Sequence, residues 1–217
     1  MLLKKSLLFS VIFFCLCFIS SCRQQANKVD SEKLPQRIEV SVKDSVLLSL
    51  DKSPMDMIYF PEDYPKQKMM NPKLANPVAR AIYSRPQKKG RIIFADSLST
   101  QNAIQRYGEA WRLGANEATE IEFFKPVIIN GKKLTPGRYI IYCIPYAGTW
   151  KIIFNDNLYS WGLHIDKTKD LAEIELPVIK NDIEIEYFTM LFQNSTYGCN
   201  LVMAWGDMKV VLPVNFN

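Results

Sequence analysis

VIINGKKLTPGRYIIYCIPYAGTWKIIFN, Val127 to Asn155, decides the fold class. Asn130-Gly131 stands between the apolar VII and the KKL that follows. Both central residues of a type I′ turn need positive φ, and Asn-Gly meets that demand at the lowest steric cost. The spacing therefore predicts a tight β-hairpin. Pro136-Gly137 marks another turn, and two runs rich in Ile, Tyr and Phe follow, Gly137–Ile144 and Thr149–Asn155. Each has the length and composition of a strand.

The same pattern continues outward. Strands are predicted at Met55–Phe60, Val78–Ser84, Arg91–Phe94, Ala118–Phe124, Val127–Ile129, Leu171–Val178, Glu184–Gln193, Asn200–Trp205 and Lys209–Val214, with a further turn at Asn181-Asp182. Only Thr100–Arg106 has helical tendency, and it is short. Many short strands punctuated by turns, without a long amphipathic helix, define an all-β fold. The expectation is a single β-sandwich domain over residues 51–217, jelly-roll-like or related, with little helix.

Upstream the chain reads as an address. Lys4 and Lys5 precede an apolar run, Ser6 to Phe18, which is too short to span a bilayer and suits a secretory leader. Ile19-Ser20-Ser21-Cys22 looks like the lipobox of bacterial lipoproteins; the alternative is an ordinary leader with a chance cysteine. Residues 1–21 are read as the leader and Cys22 as the lipidated mature N-terminus. Residues 22–36 form a polar tether, and 37–50 an extra edge strand or hairpin. The expected location is the bacterial envelope, with the outer membrane favoured and the domain facing either periplasm or surface. The membrane is a partner through the lipid.

Removing Lys4 and Lys5 lowers the basic count from 27 to 25 against 22 acids, so the mature net charge is +3. That mild charge demands no anionic partner and gives no reason to expect nucleic acid. Cys143 and Cys199 remain as the two thiols. Export permits them to pair, while two small buried thiols are the simpler reading.

The stretches SPMDMIYFPEDYP (Ser53–Pro65), ARAIYSRPQKKGRIIF (Ala79–Phe94), WKIIFN (Trp150–Asn155) and AWGDMKVVLPV (Ala204–Val214) join a longer central one beginning YGEAWRLGANEAT at Tyr107. Together they resemble the domain-of-unknown-function family DUF2911, secreted or lipid-anchored proteins of Gram-negative bacteria. The resemblance runs from Asp51 to the C-terminus. It implies a β fold and export, and adds no reaction. The chain departs from the family pattern in its longer ADSLSTQNAIQR before Tyr107, and in WGLHIDKTKDLAEI, where Ile165 and Ala172 stand near the places at which the family often carries a tyrosine and an arginine.

The central motif carries the candidate chemistry. Gly108 and Gly114 permit tight turns that bring Tyr107, Trp111, Arg112, Asn116 and Glu117 toward one point. Aromatic surface beside fixed Arg and Asn donors suits a small polar ligand, a sugar or a carboxylate. The same string also describes a structural corner, with Arg112 paired to Glu117 or Glu120 and the indole in the core. Arg80, which interrupts an apolar strand, and Arg85 are further ligand-binding candidates. Lys88 and Lys89 read as solvated turn residues.

Metal, cofactor and serine-triad chemistry find no support. His164 is the sole histidine, no ligand spacing recurs, and there is no GxSxG elbow, phosphate loop or dinucleotide fingerprint. The favoured expectation is a non-enzymatic binding or envelope-assembly module with no catalytic residues. The alternatives are a metal-independent hydrolase of envelope carbohydrate using Glu109 with Glu117 or Asp166 with Asp170, and a purely structural envelope subunit.

Overall fold

A computed structural model describes residues 53–96 and 103–216, all within the unit Ser49–Asn217. The segments read from sequence as leader, lipidated Cys22, tether and extra edge strand or hairpin, residues 1–50, lie outside the described residues.

Twelve strands form three sheets among the described residues. The first sheet has six antiparallel strands in the order β1-β2-β5-β8-β9-β10. These are Met55–Phe60, Ala79–Ser84, Glu120–Phe123, Gly137–Pro145, Thr149–Asn155 and Asp170–Pro177. The second, ordered β11-β12-β6-β7, comprises Ile179–Ser195, Gly198–Phe216, Val127–Ile129 and Lys132–Leu134. A short parallel pair, β3 (Ile92–Ala95) and β4 (Ala103–Arg106), stands apart. The fold is all-β. The hairpin Asn130-Gly131 takes φ of 47° and 77°, as a type I′ turn requires.

Alternation explains which side chains meet. Ala79, Ala81 and Tyr83 of β2 are buried on one face, as are Ile121 and Phe123 of β5. They meet the second sheet through aromatic contacts: Tyr83 lies edge-on to Phe188 at 5.8 Å, and Phe60 packs near Phe192 and Phe216. The Tyr83 hydroxyl fastens the two sheets. It donates toward Met190 O and Asp56 Oδ2 and accepts from Met190 N at 2.9 Å. Burial is the main reason its pKa is pushed up to about 12.

Three local expectations change. Ala103–Arg106 is a strand rather than a helix, because Ile104 packs against the core and the segment pairs with β3. Among the described residues the α-helix is instead α1, Tyr64–Met70, with proline in its first turn. Asn181-Asp182 makes no turn: both lie inside β11, where the register with β12 is interrupted by irregularities that curve the pair. The predicted break between Asn200–Trp205 and Lys209–Val214 is likewise absent. β12 runs through Gly206, whose φ is 62°. Cys143 and Cys199 are buried free thiols.

Candidate functional site

The motif runs along one side of the six-stranded sheet and splits between two environments. Trp111 exchanges backbone hydrogen bonds with Cys143 at 2.7 and 2.8 Å, so it borders β8. Its ring turns into the core, stacked on Trp205 at 5.6 Å and edge-on to Phe94, Trp150 and Phe188. The indole N–H donates to Gly114 O at 3.1 Å, which satisfies a group that would otherwise be costly to bury. Thr119 closes the turn with Oγ1 donating to Leu113 O at 2.7 Å. Leu113 and Asn116 hold left-handed conformations, with φ of 52° and 62°. Gly114 lies so close to β2 that an added Cβ would stand 3.0 Å from Ser84 O.

Arg112 points the other way. Its Nη1 donates to Trp161 O at 3.0 Å, and its guanidinium sits 5.8 Å from the Trp161 ring centre. Partial burial lowers its pKa from the ordinary arginine value. Among the described residues it forms no ion pair, with Glu117, Glu120 or any other carboxylate.

A cleft of about 280 Å³ opens at this point. Arg91, Gln105, Trp111, Arg112, Gly114 and Leu163 are among its lining residues, and no aspartate or glutamate is. Arg91 is held by Nε donating to Lys88 O at 3.0 Å and by Nη2 donating to Gln87 O, both backbone carbonyls. Two arginines thus line one cleft without an acidic partner among the described residues.

The other predicted site residues lie elsewhere. Tyr107 packs near Phe94 and lines a neighbouring cleft of about 350 Å³ with Asp207; Arg91 stands at the wall of both. Burial, with Asp96 and Asp207 nearby, raises the Tyr107 pKa. Asn116 is half-buried and Glu117 exposed, and neither lines the motif cleft. Arg80 pairs with Glu122 at 2.5 Å on the outer face of the first sheet. Arg85 reaches across the sandwich, contacting Asp56, Phe188 O and Thr189 Oγ1.

The carboxylates named for hydrolysis are also accounted for. Glu109 is exposed and pairs with Arg106. Asp166 caps the 3-10 turn Lys167–Lys169, where hydrogen bonds from Thr168 lower its pKa. Asp170 accepts from the Tyr142 hydroxyl and from Asn155. No cluster of potential metal ligands occurs among the described residues.

Arg91, Gln105, Trp161 and Leu163 are absent from the sequence-based site. The available signals are indirect: Arg91 closes a basic turn at a strand start, and Trp161-Gly162 opens the stretch that departs from the family pattern.

Fold and cleft together define an all-β protein with a cationic, partly apolar surface cleft. The chain belongs to the family described as protein of unknown function (DUF2911), whose model matches residues 65–214. No curated protein and no solved structure gives a significant match.

Proposed function

We propose that this chain is an exported, lipid-anchored envelope protein, a binding module whose motif cleft takes a small polar ligand carrying an anionic group, a carbohydrate or a carboxylate. The observation that carries the reading is the pair Arg91 and Arg112. Their guanidinium groups are held in place by backbone carbonyls, and no carboxylate lines the cleft among the described residues. A fixed guanidinium presents its remaining N–H groups in a planar fork that matches a carboxylate. The exposed Leu163 side chain suits the C–H surface of a sugar. The volume takes a single sugar unit or small acid rather than a larger molecule. The lipobox ending in Cys22 supports the anchor. Among the described residues no helix is long and apolar enough to cross a membrane.

Calorimetric titration with galacturonate and with uncharged galactose tests the cleft. Galacturonate should bind, galactose should not, and Arg112→Gln should weaken binding about 10- to 100-fold in a protein that stays folded. Unchanged affinity in folded Arg112→Gln and Arg91→Gln variants would remove the cleft from consideration.

A further inference from the structure

Beside the cleft runs a ridge that the motif itself props up. Residues 159–163 alternate in burial as a strand does, although they form no strand. Ser160 and Gly162 face the motif: Ser160 O accepts from Ala118 N, and Gly162 has φ of 77°. A Cβ on Gly162 would come within 2.8 Å of Arg112 Cβ and 3.0 Å of Ala118 Cβ. Tyr159, Trp161 and Leu163 therefore face outward, at 77%, 56% and 66% exposure.

Exposed apolar side chains at alternate positions are unusual enough on a soluble face to mark a contact site. Two of them are held by arginine. Arg112 lies over Trp161, and Arg138 lies 5.0 Å from the centre of the Tyr159 ring while donating to its hydroxyl. Such cation–π contacts fix a ring in place and occupy one of its faces. The opposite face remains as a flat apolar platform. Leu163 continues the ridge into the cleft wall, so platform and guanidinium pair are contiguous.

We propose that the ligand is an acidic polysaccharide rather than a free small acid. One carboxylate-bearing unit enters the cleft at Arg112 and Arg91, and the neighbouring sugar rings lie along Trp161 and Tyr159. The inference rests on the cleft reading above and adds a second, stacking subsite. Tyr159 and Trp161 are two residues apart, so their backbones are separated by at most about 7 Å, a span that adjacent sugar rings can follow. An anionic membrane fits less well. Glu120 pairs with Arg138 at 3.5 Å and Glu122 pairs with Arg80 on the same sheet face, so the arginines without an acidic partner beside the ridge are the two lining the cleft, which one carboxylate-bearing unit can enter and a flat lipid surface cannot.

The test uses the mature chain and oligogalacturonates of one to six units, with uncharged maltohexaose and phosphatidylglycerol vesicles as controls. Affinity should rise about tenfold or more with chain length. Tyr159→Ala should erase that gain while leaving affinity for single galacturonate within about twofold. Trp161→Ala should reduce that gain too, because it removes the stacking ring while the Trp161 carbonyl that holds Arg112 is retained. If all lengths bind alike and binding still needs Arg112, the stacking subsite is overturned and the cleft stands. If no length binds, both fall. If vesicles bind through Tyr159 and Trp161 with no length-dependent gain for sugar, the ridge is a membrane contact and the proposal fails.

Discussion

Trp111 and Arg112 are neighbours in sequence and belong to different regions of the molecule. Trp111 enters the seam between the sheets, where four aromatic rings surround it and its one polar atom is satisfied. Arg112 enters the seam between the motif and residues 159–163, where it is half-buried and bonded to a carbonyl. The backbone bridge to Cys143 sets this division, because consecutive side chains on a strand-like segment point to opposite faces. A single motif can therefore contain both a structural corner and a site. What separates them is one residue of register.

The largest expected effect lies on the inner side. Trp111→Ala removes a core indole and leaves a cavity between the sheets. Urea unfolding should show a loss of about 3–5 kcal/mol. Arg112→Ala removes one partly exposed hydrogen bond and should cost about 0.5–1.5 kcal/mol. Equal losses for the two variants would break the division, because they would make Arg112 a core residue in energetic terms.

How much of this was legible follows from how local each feature is. Asn130-Gly131 specifies its turn with two residues, and the strand runs of β1, β6 and β9 state themselves in composition. Residues 103–106 were misread because their strand character comes from β3 and from the packing of Ile104. Gly206 resembles a break until β11 is seen alongside it. The cleft was half legible. Trp111 and Arg112 belong to the motif, but Arg91, Gln105 and Leu163 come from separate segments that only the fold brings together.

A smaller effect sharpens the contrast through pH. The interior holds Tyr83 and Cys199, each with a pKa pushed up to about 12 chiefly by burial, while burial also raises those of Tyr142 and Cys143. All four are neutral when protonated, and the folded state binds the proton more tightly than the unfolded chain. Their contribution is therefore complete below the ordinary thiol and phenol values, about 8.5 and 10, and declines as pH rises toward 12. Stability measured between pH 8 and 11 should fall at the alkaline end. Tyr83→Phe should flatten the fall, whereas Arg112→Gln should leave its slope unchanged. A profile insensitive to Tyr83→Phe would show that this hydroxyl does not couple the sheets to pH.

The smallest effect belongs to Arg80, one of the arginines paired with a carboxylate. Arg80 and Glu122 face each other across β2 and β5, each about a quarter to a third exposed, so solvent screens their attraction. Breaking the pair by Arg80→Gln should cost only about 0.5–1 kcal/mol, in the range of exposed or cross-strand charge pairs. Glu122 also lies opposite Arg138 in the sheet register, so it is not left without a cation nearby. Galacturonate binding should not change. The result discriminates because Arg80 and Arg112 are both half-buried arginines on the outside of the sandwich. If Arg80→Gln weakened binding as much as Arg112→Gln, the relevant property would be general positive charge on this face. If only Arg112→Gln does so, the property is a guanidinium held by carbonyls in a cleft without acids.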